Sequence, residues 1–208
     1  MTNRATGRDI IFGVVLILAA IGSYEVLNHV GRAKLIHIDT PLDAQIPLVP
    51  VFVVPYLSFI PLVFVVVPLL ALRSKQVFLS YATAVFVAQM VLNVLYLLVP
   101  ATVPRPELTG TDVFSVLLRD LVWGLDEPIN TFPSNHVALS VIAILALAQL
   151  GLNRRLVLVL QLWLAVICIS TLLVHQHILW DVLAGAAIGA TAYWAVAKIY
   201  ARSIARRG

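Results

Sequence analysis

Residues 133–181 read PSNH, VALSVIAILALAQLGLNRRLVLVLQLWLAVICISTLLV, HQHILWD, and the order of these parts decides the architecture. Two apolar runs, about Val137–Leu152 and Leu156–Val174, are joined by Asn153-Arg154-Arg155. The polar cluster Pro133-Ser134-Asn135-His136 precedes the first run, and Ser170-Thr171 with His177 and Asp181 closes the second. A membrane-crossing helix takes about 20 mostly apolar residues, so each run reads as one crossing. Two crossings return His136 and His177 to the same membrane face. Backbone amides left free in hydrocarbon are costly, so both runs are expected to be helices, the first starting from Ser134 as N-cap.

Working outward, the same criterion finds four more crossings: about Ile10–Leu27, Val53–Leu72, Val77–Val99 and Ile178–Tyr200. The expected fold is all-α, a six-helix transmembrane bundle forming one polytopic domain over residues 1–208. Composition agrees: 61% of residues are apolar, 12% are charged and the mean hydropathy is +0.99. A water-soluble fold of 208 residues has too little interior to hide so much apolar surface. The single cysteine, Cys168, lies in an apolar run, which excludes a disulfide framework and a thiol metal site. The basic excess is read as membrane topology, with no nucleic-acid partner.

Orientation follows from the basic residues near the ends of the crossings. With a cytoplasmic N-terminus, the inner segments hold ten: Arg4, Arg8, Arg73, Lys75, Arg154, Arg155, Lys198, Arg202, Arg206 and Arg207. The outer segments hold four: Arg32, Lys34, Arg105 and Arg119. The expected protein therefore lies in the cell membrane with both termini cytoplasmic and both polar clusters extracytoplasmic. Arg4 and Arg8 before Ala19-Ala20-Ile21-Gly22-Ser23 also suit a signal sequence, but the stretch stays apolar to Leu27 without a small-x-small site. Of the two long outer connections, Gly31–Pro50 contains a turn or helix start at Asp39-Thr40-Pro41-Leu42-Asp43. The other, Asp112–Leu125, has the apolar spacing of a helix lying in the outer interface.

The polar clusters hold the parts of a phosphoryl-transfer site. Displacement at phosphorus needs a nucleophile, a proton for the departing oxygen, and charge or hydrogen bonds for the equatorial oxygens. His177 is the candidate nucleophile, with Asp181 one helical turn later to hold its tautomer. His136 is the candidate general acid. Ser134 and Asn135 at a helix start offer an anion pocket, and Arg105 in Pro104-Arg105-Pro106 offers a guanidinium on the same face. His29 and His37 read as ordinary interfacial polar groups, Glu25 as a side chain reaching for water, and Gly185-x3-Gly189 as close helix packing.

These residues resemble the signatures of the type 2 phosphatidic-acid phosphatase (PAP2) superfamily, which run Lys-x6-Arg-Pro, Pro-Ser-x-His and Ser-Arg-x5-His-x3-Asp. The second is met by Pro133, Ser134 and His136, the third by Ser170, His177 and Asp181, and the first by Arg105-Pro106 alone. The resemblance covers about Val77 to Tyr200 and implies six helices with an outward-facing site, and Ser170 as a further phosphate contact. Leu98 and Thr171 stand where the family has lysine and arginine. A pocket lacking two cations favours a singly charged diester over a doubly charged monoester. The pattern thus leans toward the branch resembling inositol-phosphorylceramide and sphingomyelin synthases, as does the proline pattern of Asp39–Tyr56. His175 is a candidate replacement for the missing charge.

The expected function is a metal-independent membrane lipid phosphatase that forms a phosphohistidine and needs no cofactor. Its partners are a lipid phosphate and, in the alternative reading as a head-group phosphotransferase, a lipid alcohol acceptor. An inactive lipid-binding relative is suggested by Leu98 and Thr171. A transporter is suggested by Gln89, Asn93 and Gln161 within crossings.

Overall fold

The structure is a computed structural model that describes residues 4–29 and 35–205. Arg32, Lys34, Arg206 and Arg207, which enter the charge bias, lie outside the described residues. The α-helices are α1 (Gly7–Asn28), α2 (Val53–Leu57), α3 (Phe59–Arg73), α4 (Lys75–Leu98), α5 (Val113–Val116), α6 (Asn135–Ala148), α7 (Arg154–Leu173) and α8 (Leu179–Ala205).

Starts are set by side chains that accept the otherwise orphaned first amides. Thr6 and Asp9 form a reciprocal capping box on α1. Ser74 caps α4, Ser134 caps α6 and Asn153 caps α7. Lys75 then ties the first turn of α1 to that of α4 through Asp9, at 2.8 Å.

Helices α4, α6 and α8 pack on one another at the centre, with α1 against α4 and α7 against α6. Phe78, Ile142, Leu147, Leu164, Ile167 and Tyr193 fill the main core. The perimeter is apolar too: Phe64 is 76% exposed and Val26 68%, as expected of a surface that faces lipid. Gly185 and Gly189 set the closest approach. A Cβ on either would stand 2.4 Å from the Ser134 carbonyl oxygen or 2.3 Å from that of Ala138, so the two helices touch backbone to backbone. The polar residues within the crossings link helices. Gln89 donates to Asn93, which donates to Ser23 on α1, both at 2.8 Å. Gln161 on α7 donates to the Ile144 carbonyl of α6 at 2.9 Å.

Helix content matches the all-α expectation, but the elements differ from the reading of six even crossings. Among the described residues, five helical segments are long and apolar enough to cross a membrane: Gly7–Asn28, Pro50–Arg73, Lys75–Leu98, Arg154–Leu173 and Leu179–Ser203. The expected fourth crossing, Val137–Leu152, is the 14-residue α6. At 1.5 Å per residue that is about 21 Å, short of a hydrocarbon core of about 30 Å. The expected second crossing, Val53–Leu72, lies within Pro50–Arg73 but is divided into two helices. Pro50–Phe52 is a 3₁₀ turn, α2 follows and ends at Ser58, whose hydroxyl donates to the Pro55 carbonyl at 2.7 Å, and α3 takes over from there. Proline cannot donate the helical bond, which accounts for breaks in a segment with prolines at 50, 55, 61 and 68.

The Asp112–Leu125 segment is helical, as its periodicity predicts, but most of it departs from the α form: after α5, Leu117–Trp123 is a π-helix, and Gly124 and Leu125 return to α-helix. One feature has no counterpart in the sequence reading. Ile36 and His37 pair in parallel with Ala101 and Thr102, forming a two-residue sheet that joins the two outer connections.

Candidate active site

The turn between α7 and α8 positions the proposed nucleophile. Helix α7 closes in a Schellman motif, in which the His175 N–H donates to Leu172 and the Gln176 N–H to Thr171, at 3.0 and 3.1 Å. His175 occupies the left-handed position with φ 51°, a place that glycine normally fills. The His177 N–H joins Gln176 on the Thr171 carbonyl at 3.1 Å. The buried Thr171 therefore shapes this turn through its backbone, while its hydroxyl donates to the Cys168 carbonyl.

One turn into α8, the fully buried Asp181 bonds His177 Nδ1 through Oδ2 at 3.1 Å. The same oxygen accepts the Ile178 N–H at 3.1 Å. With Nδ1 engaged, His177 Nε2 is the nitrogen left for chemistry. His136, the second residue of α6, faces it with ring centroids 6.4 Å apart. The sequence reading did not foresee what holds His136. Tyr56 stacks on its ring at 4.7 Å and Phe59 packs at 4.9 Å, so the broken second segment supplies an aromatic clamp. The Ser134 N–H donates to the Asp181 carbonyl at 3.0 Å, joining the two helix starts that carry the histidines.

Arg105 is fixed by carbonyls rather than by carboxylates. Its Nη1 donates to the Trp123 carbonyl at 3.2 Å, and Nη2 donates to the Asp126 carbonyl at 2.8 Å and to Gln176 Oε1. Its guanidinium lies 5.6 Å from the centre of the Trp123 ring, and Trp123 in turn donates to the Val174 carbonyl at 3.1 Å. Burial lowers the Arg105 pKa, opposed by the charge of Asp126, yet the group stays cationic at any physiological pH. Burial raises the Asp126 pKa, opposed by Asn28 and Arg105.

A cavity of about 280 Å³ opens beside this group, lined by Arg105, His175 and His177 among apolar residues such as Val103, Leu172 and Ile178. Its roof is the outer connection around Asp43, which also lines it. Asp43 accepts the Leu179 N–H at the start of α8 at 2.8 Å and both the N–H and hydroxyl of Thr40 at 2.7 Å. Burial works to raise the Asp43 pKa, but these bonds outweigh it and hold the carboxyl below its ordinary 3.8. The Val49 N–H donates to the Leu173 carbonyl at 2.8 Å, pinning the far end of the roof.

The structure thus brings together His136, His177, Asp181, Arg105, Asn135 and His175, with Ser134 capping α6 beside them. Ser170 stands apart. It is fully buried, donates to Ile167 at 2.7 Å within its own helix, and lines neither this cavity nor the smaller one next to His136. His175 is bonded to the Ile46 carbonyl at 3.2 Å, and burial lowers its pKa against that bond, so it is a weak substitute for an arginine. Leu98, in the slot of the family lysine, is 71% exposed. Among the described residues, no group of three His, Cys, Asp or Glu side chains is placed to hold a metal ion.

Sequence reasoning missed Gln176, Trp123, Tyr56 and Asp43. Only Gln176 carried a signal, as a polar residue between two candidate histidines; Asp43 finds its partner 136 positions away.

The family model described as PAP2 superfamily matches residues 29–195. The chain belongs to the PAP2 superfamily. That match spans the aromatic clamp, Arg105 and both histidine clusters, and it bears out the resemblance drawn from the three signatures. It does not extend to the narrower likeness to sphingomyelin synthases. No curated protein and no solved structure matches the chain. PAP2 membership gives the chain a phosphatase-type fold, in a superfamily whose members usually act as phosphatases or phosphotransferases.

Proposed function

We propose that the chain is a membrane lipid phosphatase acting on a lipid phosphate ester at the extracytoplasmic face through a phosphohistidine. The observation that carries this reading is the apposition of the His177–Asp181 pair and His136 beside Arg105, at the wall of a largely apolar cavity. An attacking nitrogen about 3–3.5 Å from phosphorus and a proton donor about 3 Å from the leaving oxygen call for two imidazoles at roughly the observed spacing.

In the first step, Nε2 of His177 forms a bond to phosphorus as the bond to the lipid oxygen breaks. Asp181 stabilises the imidazolium that develops, and protonated His136 gives its proton to the lipid alkoxide. Arg105 and the amides at the start of α6 neutralise charge on the equatorial oxygens. In the second step, water attacks phosphorus, His136 takes the proton, and the phosphorus–nitrogen bond breaks to free His177. Apolar walls around Leu172 and Ile178 suit the first carbons of a lipid chain.

A second reading, head-group transfer to a lipid alcohol, is favoured by one observation. Arg105 is the only lysine or arginine among the described residues lining either cavity by the histidines, which suits a singly charged diester.

The test is purified protein with a lipid phosphate monoester and a diester, each carrying labelled phosphorus. Wild type should yield label on His177 and free phosphate, while His177→Ala, purified in normal amount, should yield neither. Substantial turnover by a well-folded His177→Ala would remove the nucleophile from this reading. Transfer without hydrolysis would select the second reading.

A further inference from the structure

A second, much smaller cavity lies against the two histidines on the side of Tyr24, Tyr96 and the 126–131 loop. Its volume is about 20 Å³. One water needs roughly 10–15 Å³ in this measure, together with two to four polar partners. The partners are present. Thr131 Oγ1, Asn135 Oδ1 and Gln176 Nε2 all belong to residues lining this cavity and all three atoms are buried; none has a partner of hydrogen-bonding geometry within the chain, the Tyr56 side chain being a polar neighbour of Gln176 in the same lining. Thr131 and Gln176 are each only 4% exposed. Leaving one such group unsatisfied costs about 1–3 kcal/mol. Three such groups on residues lining one water-sized space, one donor, one acceptor and one hydroxyl that serves as either, match the partners a water molecule needs.

We propose that this pocket binds a single water, held by Thr131, Asn135 and Gln176, and that this water is the acceptor that hydrolyses the phosphohistidine. The inference rests on the phosphohistidine reading above. The water oxygen bonds to phosphorus, the bond from phosphorus to His177 Nε2 breaks, and the water proton passes to His136, which lines the same pocket. Gln176 acquires two tasks: its Oε1 takes a bond from Arg105 while its Nε2 faces the water, so phosphate binding and water placement share one side chain. Thr131 is a positioning residue for the second step and is not required for the first, whereas Gln176 also serves the first by holding Arg105.

Thr131→Val is the cleanest probe, because valine keeps the shape and removes a hydroxyl that bonds nothing else in the chain. The measurement is rapid-quench phosphorylation and dephosphorylation of His177 with a labelled lipid phosphate, alongside the thermal midpoint. Thr131→Val should form phosphohistidine at the wild-type rate, lose it at least tenfold more slowly, and so accumulate labelled protein in the steady state with the midpoint unchanged or higher. Thr131→Ser should restore wild-type breakdown. Equal slowing of both steps, or unchanged breakdown in Thr131→Val, would overturn the proposal. A wild type that never carries label on histidine would instead overturn the phosphohistidine reading itself, so the two failures are distinguishable.

Discussion

Gly185→Ala is the sharpest single test of how the bundle builds its site. The added methyl would stand 2.4 Å from the Ser134 carbonyl oxygen, whereas ordinary contact begins near 3.4 Å. That oxygen is backbone and cannot rotate aside, so α8 must withdraw from α6 by about 1 Å in a core that transmits strain. The Ser134 N–H bond to the Asp181 carbonyl, 3.0 Å long, stretches with it. Helix α8 carries Asp181 and α6 carries His136, so the gap opens between nucleophile and acid. A misplacement of about 1 Å costs about 100-fold in rate, or about 2.7 kcal/mol of barrier. Overpacking should cost about 1–3 kcal/mol of stability.

The assay is hydrolysis of a lipid phosphate in detergent micelles with thermal midpoints measured in parallel. Gly189→Ala, one turn further from the histidines and 2.3 Å from the Ala138 oxygen, should lose similar stability and less activity. Gly22→Ala, inside α1 where nothing lies within 4 Å, should leave activity unchanged and stability equal or higher. Wild-type activity and stability in Gly185→Ala would refute the reasoning. Activity falling equally in Gly185→Ala and Gly189→Ala, in step with stability, would reduce it to general loosening.

Two further outcomes are expected. Asp43 is held below its ordinary pKa of 3.8, so its contribution to stability is fully present above that value and disappears as pH falls through the lower folded-state value. Asp43→Asn should therefore melt lower than wild type at pH 7, by about 2–4 °C for each kcal/mol lost, and the gap should close in acid below pH 3.8; a gap independent of pH would deny the roof clamp. For topology, cysteines placed at the exposed Asp112 or Glu127 in a Cys168→Ser background should react with an impermeant thiol reagent in intact cells, and cysteines at Ser74 or Asn153 should not. The reverse pattern would move the site to the cytoplasm.

What sequence alone determined about this protein is what depends on short range and on solvent. Apolar length dictates helices because hydrocarbon offers no partner for a free amide. The four-residue spacing of His177 and Asp181 signalled that the two would meet, although His177 lies in the turn before α8 and Asp181 reaches back to it across the helix start. Two apolar runs between His136 and His177 make them neighbours at one end of the bundle, as observed. The match of the third signature was legible in the same way, although the resemblance credited Ser170 with a contact its own helix absorbs.

Tertiary structure alone decided everything that depends on a partner far along the chain. Ser134 could be read as a cap from sequence, but the division of the second segment at Ser58 was not separable from a continuous crossing, since hydropathy is blind to where prolines interrupt a helix. The aromatic clamp of Tyr56 and Phe59 on His136, the carbonyl cradle of Arg105, and the reach of Asp43 to Leu179 are each one of many pairings that composition would allow. The water-sized pocket of Thr131, Asn135 and Gln176 is a property of the space between three segments. Such a space exists only once α6 and α8 meet at Gly185, because shape and unsatisfied polarity arise from packing and not from any one stretch of chain.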